Sequence, residues 1–346
     1  MFRFAVHHNL SVIKKAHAGA TVKKASRAAA LLLCCALLCA CGSNLVSPYT
    51  DHEYMKAFTF LSGQSTDSGQ AEGFAADLCV TEGNVIPPGI SIEAGTTALI
   101  ADTANLEFLY AKSVHEQMYP ASLTKLMTAL VALKNSSLDT KLTASADVTN
   151  LEAGAQTCGI AEGDTMTLDQ ALHLLLINSA NDAAVMIAEN VGGSVSAFVD
   201  EMNKEAQMIG ATNTHFMNPS GLHDGNHYTT AYDMYLIFNE ALNYPVIQEI
   251  INMPSYSTVY RDAQGAEKNV SVNSTNLYLR SIVDAPTGMT VIGGKTGTTS
   301  AAGHCLTILA KDTSGNPYIC VVLGAPDQQV LYSYMNDLQG LAAEPK

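Results

Sequence analysis

A serine and a lysine stand three residues apart in the stretch Pro120–Lys125, at the start of an apolar run. On a helix, positions i and i+3 share one face, so the Lys125 amine can reach the Ser122 hydroxyl. A serine hydroxyl needs a positioned base before it becomes an effective nucleophile. The pair therefore predicts covalent catalysis by Ser122 with Lys125 as general base. A surface serine beside a solvated lysine would give the same pattern, so the remaining chain must decide.

Two further polar clusters interrupt apolar patterns. Ser179-Ala180-Asn181 separates two helical patterns, where serine and asparagine are also common helix caps. The stretch Gly293–Thr299 (GGKTGTT) places Lys295 inside a glycine-rich strand, and such glycines let a ligand backbone lie against the strand. Each cluster alone is weak. Together, in the order Ser-x-x-Lys, Ser-x-Asn and Lys-Thr-Gly, they strongly favour a catalytic site.

With these motifs the chain resembles the low-molecular-mass penicillin-binding proteins, of the serine D-alanyl-D-alanine carboxypeptidase type. The similar segments are Tyr119–Thr128, Asn178–Ala184, Phe216–Leu222, Gly294–Thr299 and Ala302-Gly303. The resemblance extends from Phe74 to Gly340 and implies an α/β fold of the β-lactamase/DD-peptidase type. In that fold a mostly antiparallel sheet is flanked by helices, and the active site lies between it and a mainly helical subdomain.

The resemblance also implies catalytic roles. Ser122 would attack the carbonyl of the terminal D-Ala–D-Ala bond of a peptidoglycan stem pentapeptide and form an acyl-enzyme. Lys125 would be the general base, Ser179 would relay the proton to the leaving D-alanine, and Asn181 would hold the substrate amide and orient Lys125. Burial beside Lys295 would depress the pKa of Lys125. β-Lactam antibiotics would acylate the same serine and act as inhibitors.

The glycine-rich strand would bind the substrate. Lys295 and Thr296 are expected to bind the free C-terminal carboxylate. The peptide would lie antiparallel to the strand, which includes Gly297, and the backbone N–H groups of Ser122 and Thr298 would form the oxyanion hole. No metal or cofactor is expected.

Other functions fit the motifs less well. A class A β-lactamase would carry a Glu-x-x-Leu-Asn loop, which the sequence lacks. A non-catalytic penicillin-binding sensor or wall-binding module would not need all three motifs. His223 and His227 have a metal-like spacing, but Gly225 lies between them in a loop, which favours polar packing over a zinc peptidase. The absence of a Gly-x-Ser-x-Gly elbow argues against a Ser-His-Asp hydrolase.

The surrounding pattern predicts the elements that position these residues. Short apolar strands at both ends of the domain enclose a mainly helical middle, which suggests one α/β unit whose sheet is completed by distant parts of the chain. The predicted helices are Ser122–Lys134, Thr167–Ile177, Asp182–Glu189, Val195–Ile209, Thr230–Asn243 and Gln328–Leu341. The predicted strands are Thr96–Asp102, Leu106–Lys112, Thr290–Ile292, Cys305–Ala310 and Tyr318–Leu323.

Residues 1–41 have the composition of an export signal. The first 40 residues hold six basic side chains and no acidic one. The last basic residue, Arg27, is followed by the apolar stretch Ala28–Ala40, which is too short to span a bilayer comfortably. The full chain has a net charge of −14, and without these residues 12 basic side chains face 32 acidic ones. Nucleic acid needs a basic surface, so this balance argues against it as a partner.

The signal ends in Leu38-Cys39-Ala40-Cys41, which resembles a bacterial lipobox. This predicts lipidation of Cys41, a tether over residues 42–73, and a catalytic domain over residues 74–346. Ordinary cleavage or an uncleaved anchor are the alternatives. The protein would then lie on the extracytoplasmic face of the bacterial membrane, held through its N-terminus, or be secreted into the wall. Cys305 and Cys320 are expected to be buried thiols, and a Cys79–Cys158 disulfide remains open.

Overall fold

The structure, a computed structural model, describes residues 75–343. The predicted signal, the lipidation site Cys41 and the tether lie outside the described residues. The strands are β1 (Thr97–Asp102), β2 (Glu107–Lys112), β3 (Lys141–Thr143), β4 (Thr165–Thr167), β5 (Ser255–Arg261), β6 (Glu267–Asn273), β7 (Met289–Thr299), β8 (Gly303–Asp312) and β9 (Pro317–Ala325). The α-helices are α1 (Thr124–Asn135), α2 (Leu168–Ile177), α3 (Asn181–Gly192), α4 (Val195–Met208), α5 (Ala231–Ala241), α6 (Pro245–Asn252) and α7 (Gln328–Ala343).

A five-stranded antiparallel sheet in the order β2-β1-β9-β8-β7 forms the centre of the fold. Every residue of β1 is buried, and its four central residues, Ala98–Ala101, are apolar on both faces of the sheet. One face packs against α7 through Leu331, Met335 and Leu338, and the other packs against the helical part. Strands from both ends of the described chain thus complete one sheet, and the predicted α/β fold is confirmed.

Helix α1 lies inside the helical part of the domain. All residues from Thr124 to Ala132 are buried, because the helix is apolar on nearly every side. Its neighbours include α2, which begins with the predicted capping box between Thr167 and Gln170. Burial of α1 on all sides also buries Lys125, and the predicted base therefore lies in the protein interior.

The start of α1 differs from the prediction. The sequence favours a helix from Ser122, whereas the structure has a 3₁₀ turn over Ala121–Leu123 and begins the α-helix at Thr124. Side chains at i and i+3 are eclipsed in a 3₁₀ turn. The contact predicted between Ser122 and Lys125 is therefore retained.

A second, four-stranded sheet in the order β3-β4-β5-β6 is not predicted by the sequence. Strands β5 and β6 are mainly polar and mostly half-buried or exposed, so they lack the apolar pattern that identifies core strands. Helix α6 is also missing from the prediction, because Pro245 suggests a stop. Proline is equally suited to the first position of a helix, and here it begins α6.

The cysteines within the described residues are all free. Cys305 and Cys320 are buried in β8 and β9, as expected, and burial raises the pKa of the Cys305 thiol to about 12. The disulfide between Cys79 and Cys158 that the sequence leaves open is not formed. None of the helices over residues 75–343 is long and apolar enough to cross a membrane.

Candidate active site

The predicted nucleophile lies on a strained turn that leads into α1. Ala121, the residue before Ser122, has φ +48°, a conformation that residues other than glycine adopt rarely. Leu123, on the other side, is completely buried and fixes the turn to the core. Ser122 itself is half-buried between these two residues. The turn therefore holds the serine hydroxyl at a fixed position beside the first turn of α1.

The Lys125 side chain is fully buried and contacts three oxygen atoms. Its Nζ atom lies 2.9 Å from Ser122 Oγ, 2.7 Å from Asn181 Oδ1 and 2.5 Å from the backbone carbonyl of Ser220. These partners come from the nucleophile turn, the N-terminus of α3 and the loop before α5. Three distant parts of the chain thus converge on one amine.

Two lysine amines in this site are shifted toward the neutral form. Burial lowers the pKa of Lys125 well below its usual range, and the positive charge of Lys295 lowers it further, whereas Asp182 opposes the shift. Burial also lowers the pKa of Lys295 to about 7. The physical cause is that an ammonium loses its hydration in the protein interior. The predicted direction of the Lys125 shift is thus found, with burial as its largest cause.

A neutral Lys125 amine would be oriented by its two other contacts. The Asn181 Oδ1 atom and the Ser220 carbonyl can only accept hydrogen bonds, so they take the two N–H groups of the neutral amine. The lone pair of the nitrogen then faces Ser122 Oγ at 2.9 Å. This arrangement can remove the serine proton without any rearrangement of the amine.

Ser179 joins the second lysine to the site. It lies between α2 and α3 with φ +60°, and its buried hydroxyl accepts a hydrogen bond of 2.9 Å from Lys295 Nζ. Lys295 also donates to the carbonyl of Thr296 at 2.8 Å. The predicted residues Ser179 and Asn181 are therefore brought together with both lysines by the short link between two helices.

Strand β7 lies directly against the nucleophile turn at Gly297. A Cβ atom at Gly297 would come within 2.8 Å of the Pro120 carbonyl oxygen and 3.1 Å of the Ser122 amide nitrogen. Only glycine permits this approach. The neighbouring Thr298 is exposed, and its hydroxyl lies 3.4 Å from His304 Nδ1. The structure therefore brings the predicted strand residues to the same cleft as Ser122.

The segment before α5 contributes two residues, Ser220 and Gly221, to which the sequence analysis assigns no role in the site. Ser220 accepts from Lys125 through its carbonyl, which no side-chain pattern can reveal. Gly221 has φ +83°, and a Cβ atom there would lie 1.8 Å from the carbonyl oxygen of Ala121. The only available signal is the segment Phe216–Leu222, which resembles the family without indicating what each residue contacts.

His227 supports the nucleophile turn rather than a metal. The Met217 amide donates to His227 Nδ1 at 3.2 Å, which places the ring proton on Nε2. Nε2 then donates to Thr124 Oγ1 at 2.8 Å, and this hydroxyl donates to the Ala121 carbonyl at 2.8 Å. Burial lowers the pKa of His227 to about 4, so the ring is neutral at neutral pH. Within residues 75–343 no group of three or more metal-ligating side chains is found.

The motifs and their geometry agree with a comparison to protein families. Residues 83–327 match the peptidase S11 family, described as D-alanyl-D-alanine carboxypeptidase. The chain belongs to this family. The family resemblance recognised in the sequence is thereby confirmed, and the match includes Ser122, Lys125 and the Lys-Thr-Gly strand.

Curated D-alanyl-D-alanine carboxypeptidases are similar over much of the chain. D-alanyl-D-alanine carboxypeptidase DacF of Bacillus subtilis is 36% identical over 67% of this chain and 58% of its own length. DacC of Escherichia coli is 30% identical over 80% of this chain and 67% of its own. The chain thus spans about three fifths of the length of the first of these relatives.

Solved structures of DD-peptidases share the fold. The crystal structure of the Streptomyces K15 DD-transpeptidase matches with a TM-score of 0.66 and 26% identity, over 74% of this chain and 98% of that one. The D-alanyl-D-alanine carboxypeptidase DacD of Francisella tularensis matches with a TM-score of 0.64 and 27% identity, over 76% of this chain and 73% of that one.

Proposed function

We propose that this protein hydrolyses the terminal D-Ala–D-Ala bond of peptidoglycan stem pentapeptides through an acyl-enzyme on Ser122, releasing D-alanine. The observation that carries the proposal is the buried Lys125 amine, 2.9 Å from Ser122 Oγ, with two obligate acceptors on its other side. Its depressed pKa provides the neutral amine that a general base requires.

In the acylation step, Lys125 takes the proton of Ser122 as Oγ attacks the penultimate D-alanyl carbonyl. The negative charge on the carbonyl oxygen is stabilised by the backbone N–H groups of Ser122 and Thr298. Each such donor lowers the barrier by about 3–4 kcal/mol. Gly297 makes this site possible, because its missing side chain lets β7 approach the Ser122 amide.

The leaving D-alanine requires a proton and a site for its carboxylate. Ser179 accepts a hydrogen bond from Lys295 and lies two residues before Asn181, which contacts Lys125, so we assign its hydroxyl the transfer of a proton to the leaving amine. Lys295 and the hydroxyl of Thr296 recognise the carboxylate. Asn181 uses Oδ1 for Lys125 and therefore offers its Nδ2 donors to the substrate amide. Water then hydrolyses the ester.

D-alanine release from diacetyl-Lys-D-Ala-D-Ala tests this proposal. The wild-type protein should release D-alanine, the Ser122→Ala variant should not, and EDTA should have no effect. Release by Ser122→Ala at the wild-type rate would refute the proposal. Nitrocefin provides the second measurement: a carboxypeptidase is acylated once and turns the compound over slowly, whereas rapid turnover would indicate a β-lactamase.

The proposal extends to the location of the protein. Members of the family act on peptidoglycan peptides and bind β-lactams, which supports a location where the cell wall is built. We infer that residues 1–41 direct export, that Cys41 is lipidated, and that residues 74–346 form the catalytic domain on the outer face of the membrane. Palmitate labelling that is lost in Cys41→Ser tests the anchor, and an unlabelled wild-type protein would contradict it.

A further inference from the structure

Thr275 connects two parts of the active site, although the roles assigned above do not include it. It lies in the segment that follows β6, and its backbone N–H donates to the carbonyl of Ile177 at 3.2 Å. Ile177 is the last residue of α2, two positions before Ser179. The Thr275 hydroxyl shares a hydrogen bond with the hydroxyl of Thr296 on β7. One residue thus joins the link that contains Ser179 to the strand that is proposed to bind the substrate.

The backbone around Thr275 is fixed on both sides. Ser274 and Asn276 are buried, whereas Thr275 between them is half-buried. The Ser274 N–H donates to the Pro254 carbonyl at 2.9 Å, and the Ser274 hydroxyl accepts from the Asn276 N–H at 3.2 Å. These bonds are in addition to the contact of the Thr275 N–H with α2. The fold therefore sets the position of the Thr275 hydroxyl.

Thr275 also lines an open cavity. The cavity has a volume of about 470 Å³, and its lining includes Asn178, which directly precedes Ser179 in the sequence. No acidic side chain is part of the lining, so none of these residues repels a carboxylate. Thr275 thus lies at the border between the protein interior and a space that a substrate can enter.

The chemistry of the ligand decides which threonine donates the hydrogen bond between the two hydroxyls. A hydroxyl has one proton to donate and two lone pairs that accept. A carboxylate can only accept, so Thr296 must direct its proton to the carboxylate when substrate is bound. The bond between the hydroxyls is then donated by Thr275 and accepted by Thr296. Such a chain fixes the rotation of the Thr296 hydroxyl before binding and strengthens it as a donor.

We propose that Thr275 is a positioning residue for substrate recognition, whose hydroxyl donates to Thr296 and directs the Thr296 proton to the C-terminal carboxylate of the substrate. The proposal rests on the function proposed above. Thr275 does not contact the reacting atoms, and no proton is transferred through it. Removal of its hydroxyl should therefore weaken recognition of the carboxylate and leave the attack by Ser122 intact.

Two substrates with the same acyl part test the proposal with the full-length enzyme. One is diacetyl-Lys-D-Ala-D-Ala, and the other is the para-nitrophenyl ester of diacetyl-Lys-D-Ala, whose leaving group has no carboxylate. Thr275→Val should lower kcat/KM for the peptide by about fivefold and that for the ester by less than about twofold. Thr275→Ser keeps the hydroxyl and should restore the peptide value. An equal loss on both substrates in Thr275→Val would indicate a general distortion of the site and would overturn the proposal.

A double-mutant cycle decides whether Thr275 acts through Thr296. Thr296→Val should lower kcat/KM for the peptide by itself. The addition of Thr275→Val to Thr296→Val should cause little further loss, because the hydroxyl that Thr275 orients is already absent. A further loss as large as that of Thr275→Val alone would show that Thr275 acts independently of Thr296, and this result would also overturn the proposal.

Thr157→Val is the matched control. It removes a hydroxyl from another threonine that lines the same cavity, at an exposed position, and should leave both reactions near wild type. The Tm of each variant checks its folding.

Failure of the positioning role and failure of the proposed function give different results. D-alanine release by Thr275→Val at the wild-type rate would overturn the role of Thr275 and leave the carboxypeptidase function standing. A wild-type enzyme that releases no D-alanine from the peptide would overturn the proposed function itself.

Discussion

The Nζ atom of Lys125 lies 2.9 Å from the Oγ atom of Ser122, although the two residues belong to different kinds of helix. Ser122 is a half-buried residue of a 3₁₀ turn, whereas Lys125 is completely buried in the first turn of α1. A buried base and a half-buried nucleophile are thus held in contact by a segment of four residues. The predictions below follow from this arrangement.

Replacement of the base should remove reactivity while the fold is retained. Lys125→Met keeps the length of the side chain and eliminates the amine, so acylation by benzylpenicillin should slow by about 10²–10⁴-fold. The rate constant is measured by stopped-flow or quenched mass spectrometry, with the Tm as a folding check. Lys204→Met on the exposed face of α4 is the control. An acylation rate in Lys125→Met close to that of the control would contradict the assignment.

The second lysine should shift the pH dependence of acylation. The neutral form of Lys125 is the reactive one, so the rate rises as the pH passes through its pKa. Lys295 contributes to lowering that pKa, and its removal raises it. Lys295→Met should therefore move the acid limb of the pH–rate profile for penicillin acylation to higher pH. A limb that stays in place, or moves to lower pH, would show that Lys295 does not act on the base.

The link from His227 to the nucleophile turn should affect both stability and rate. In Thr124→Val the His227 N–H and the Ala121 carbonyl lose their shared partner, and each buried unpaired group costs about 1–3 kcal/mol. We expect a lower free energy of unfolding in urea and slower acylation. Thr124→Ser keeps the hydroxyl and should remain near wild type. Equal behaviour of the two variants would exclude a positioning role for this hydroxyl.

Gly221 should be irreplaceable for a steric reason. A Cβ atom there would overlap the Ala121 carbonyl, and its φ of +83° is unfavourable for other residues. Gly221→Ala should lower the free energy of unfolding by on the order of 2–4 kcal/mol. Gly225→Ala, in the same loop with open space around its Cβ position, is the matched control. A difference between the two variants of less than about 1 kcal/mol would contradict the packing described for the turn.

The sequence predicts the site well where chemistry depends on side-chain type. Ser122, Lys125, Ser179, Asn181 and Lys295 have types and an order that few functions share, and the structure brings them together. It also predicts the long apolar elements, such as α2 with its capping box and the buried strand β9. These elements can be predicted because the hydrophobic periodicity is strong and the capping residues lie close together in the sequence.

The parts that the sequence does not predict depend on backbone groups or on polar elements. The Ser220 carbonyl holds Lys125, and a carbonyl is present at every residue, so no pattern identifies it. Strands β5 and β6 are polar because they lie at the edge of the fold, and they therefore lack a hydrophobic signal. The edge strand β6 nevertheless lines a cavity together with Asn178, the residue before Ser179.

Peptide mapping after benzylpenicillin treatment tests the central claim most directly. Digestion and tandem mass spectrometry of the full-length protein should find one penicilloyl adduct, on Ser122, and Ser122→Ala should carry none. The adduct should form in the presence of EDTA. An adduct on Ser179 or Ser220, or labelling of the Ser122→Ala protein at the wild-type rate, would contradict the assignment of Ser122 as the nucleophile.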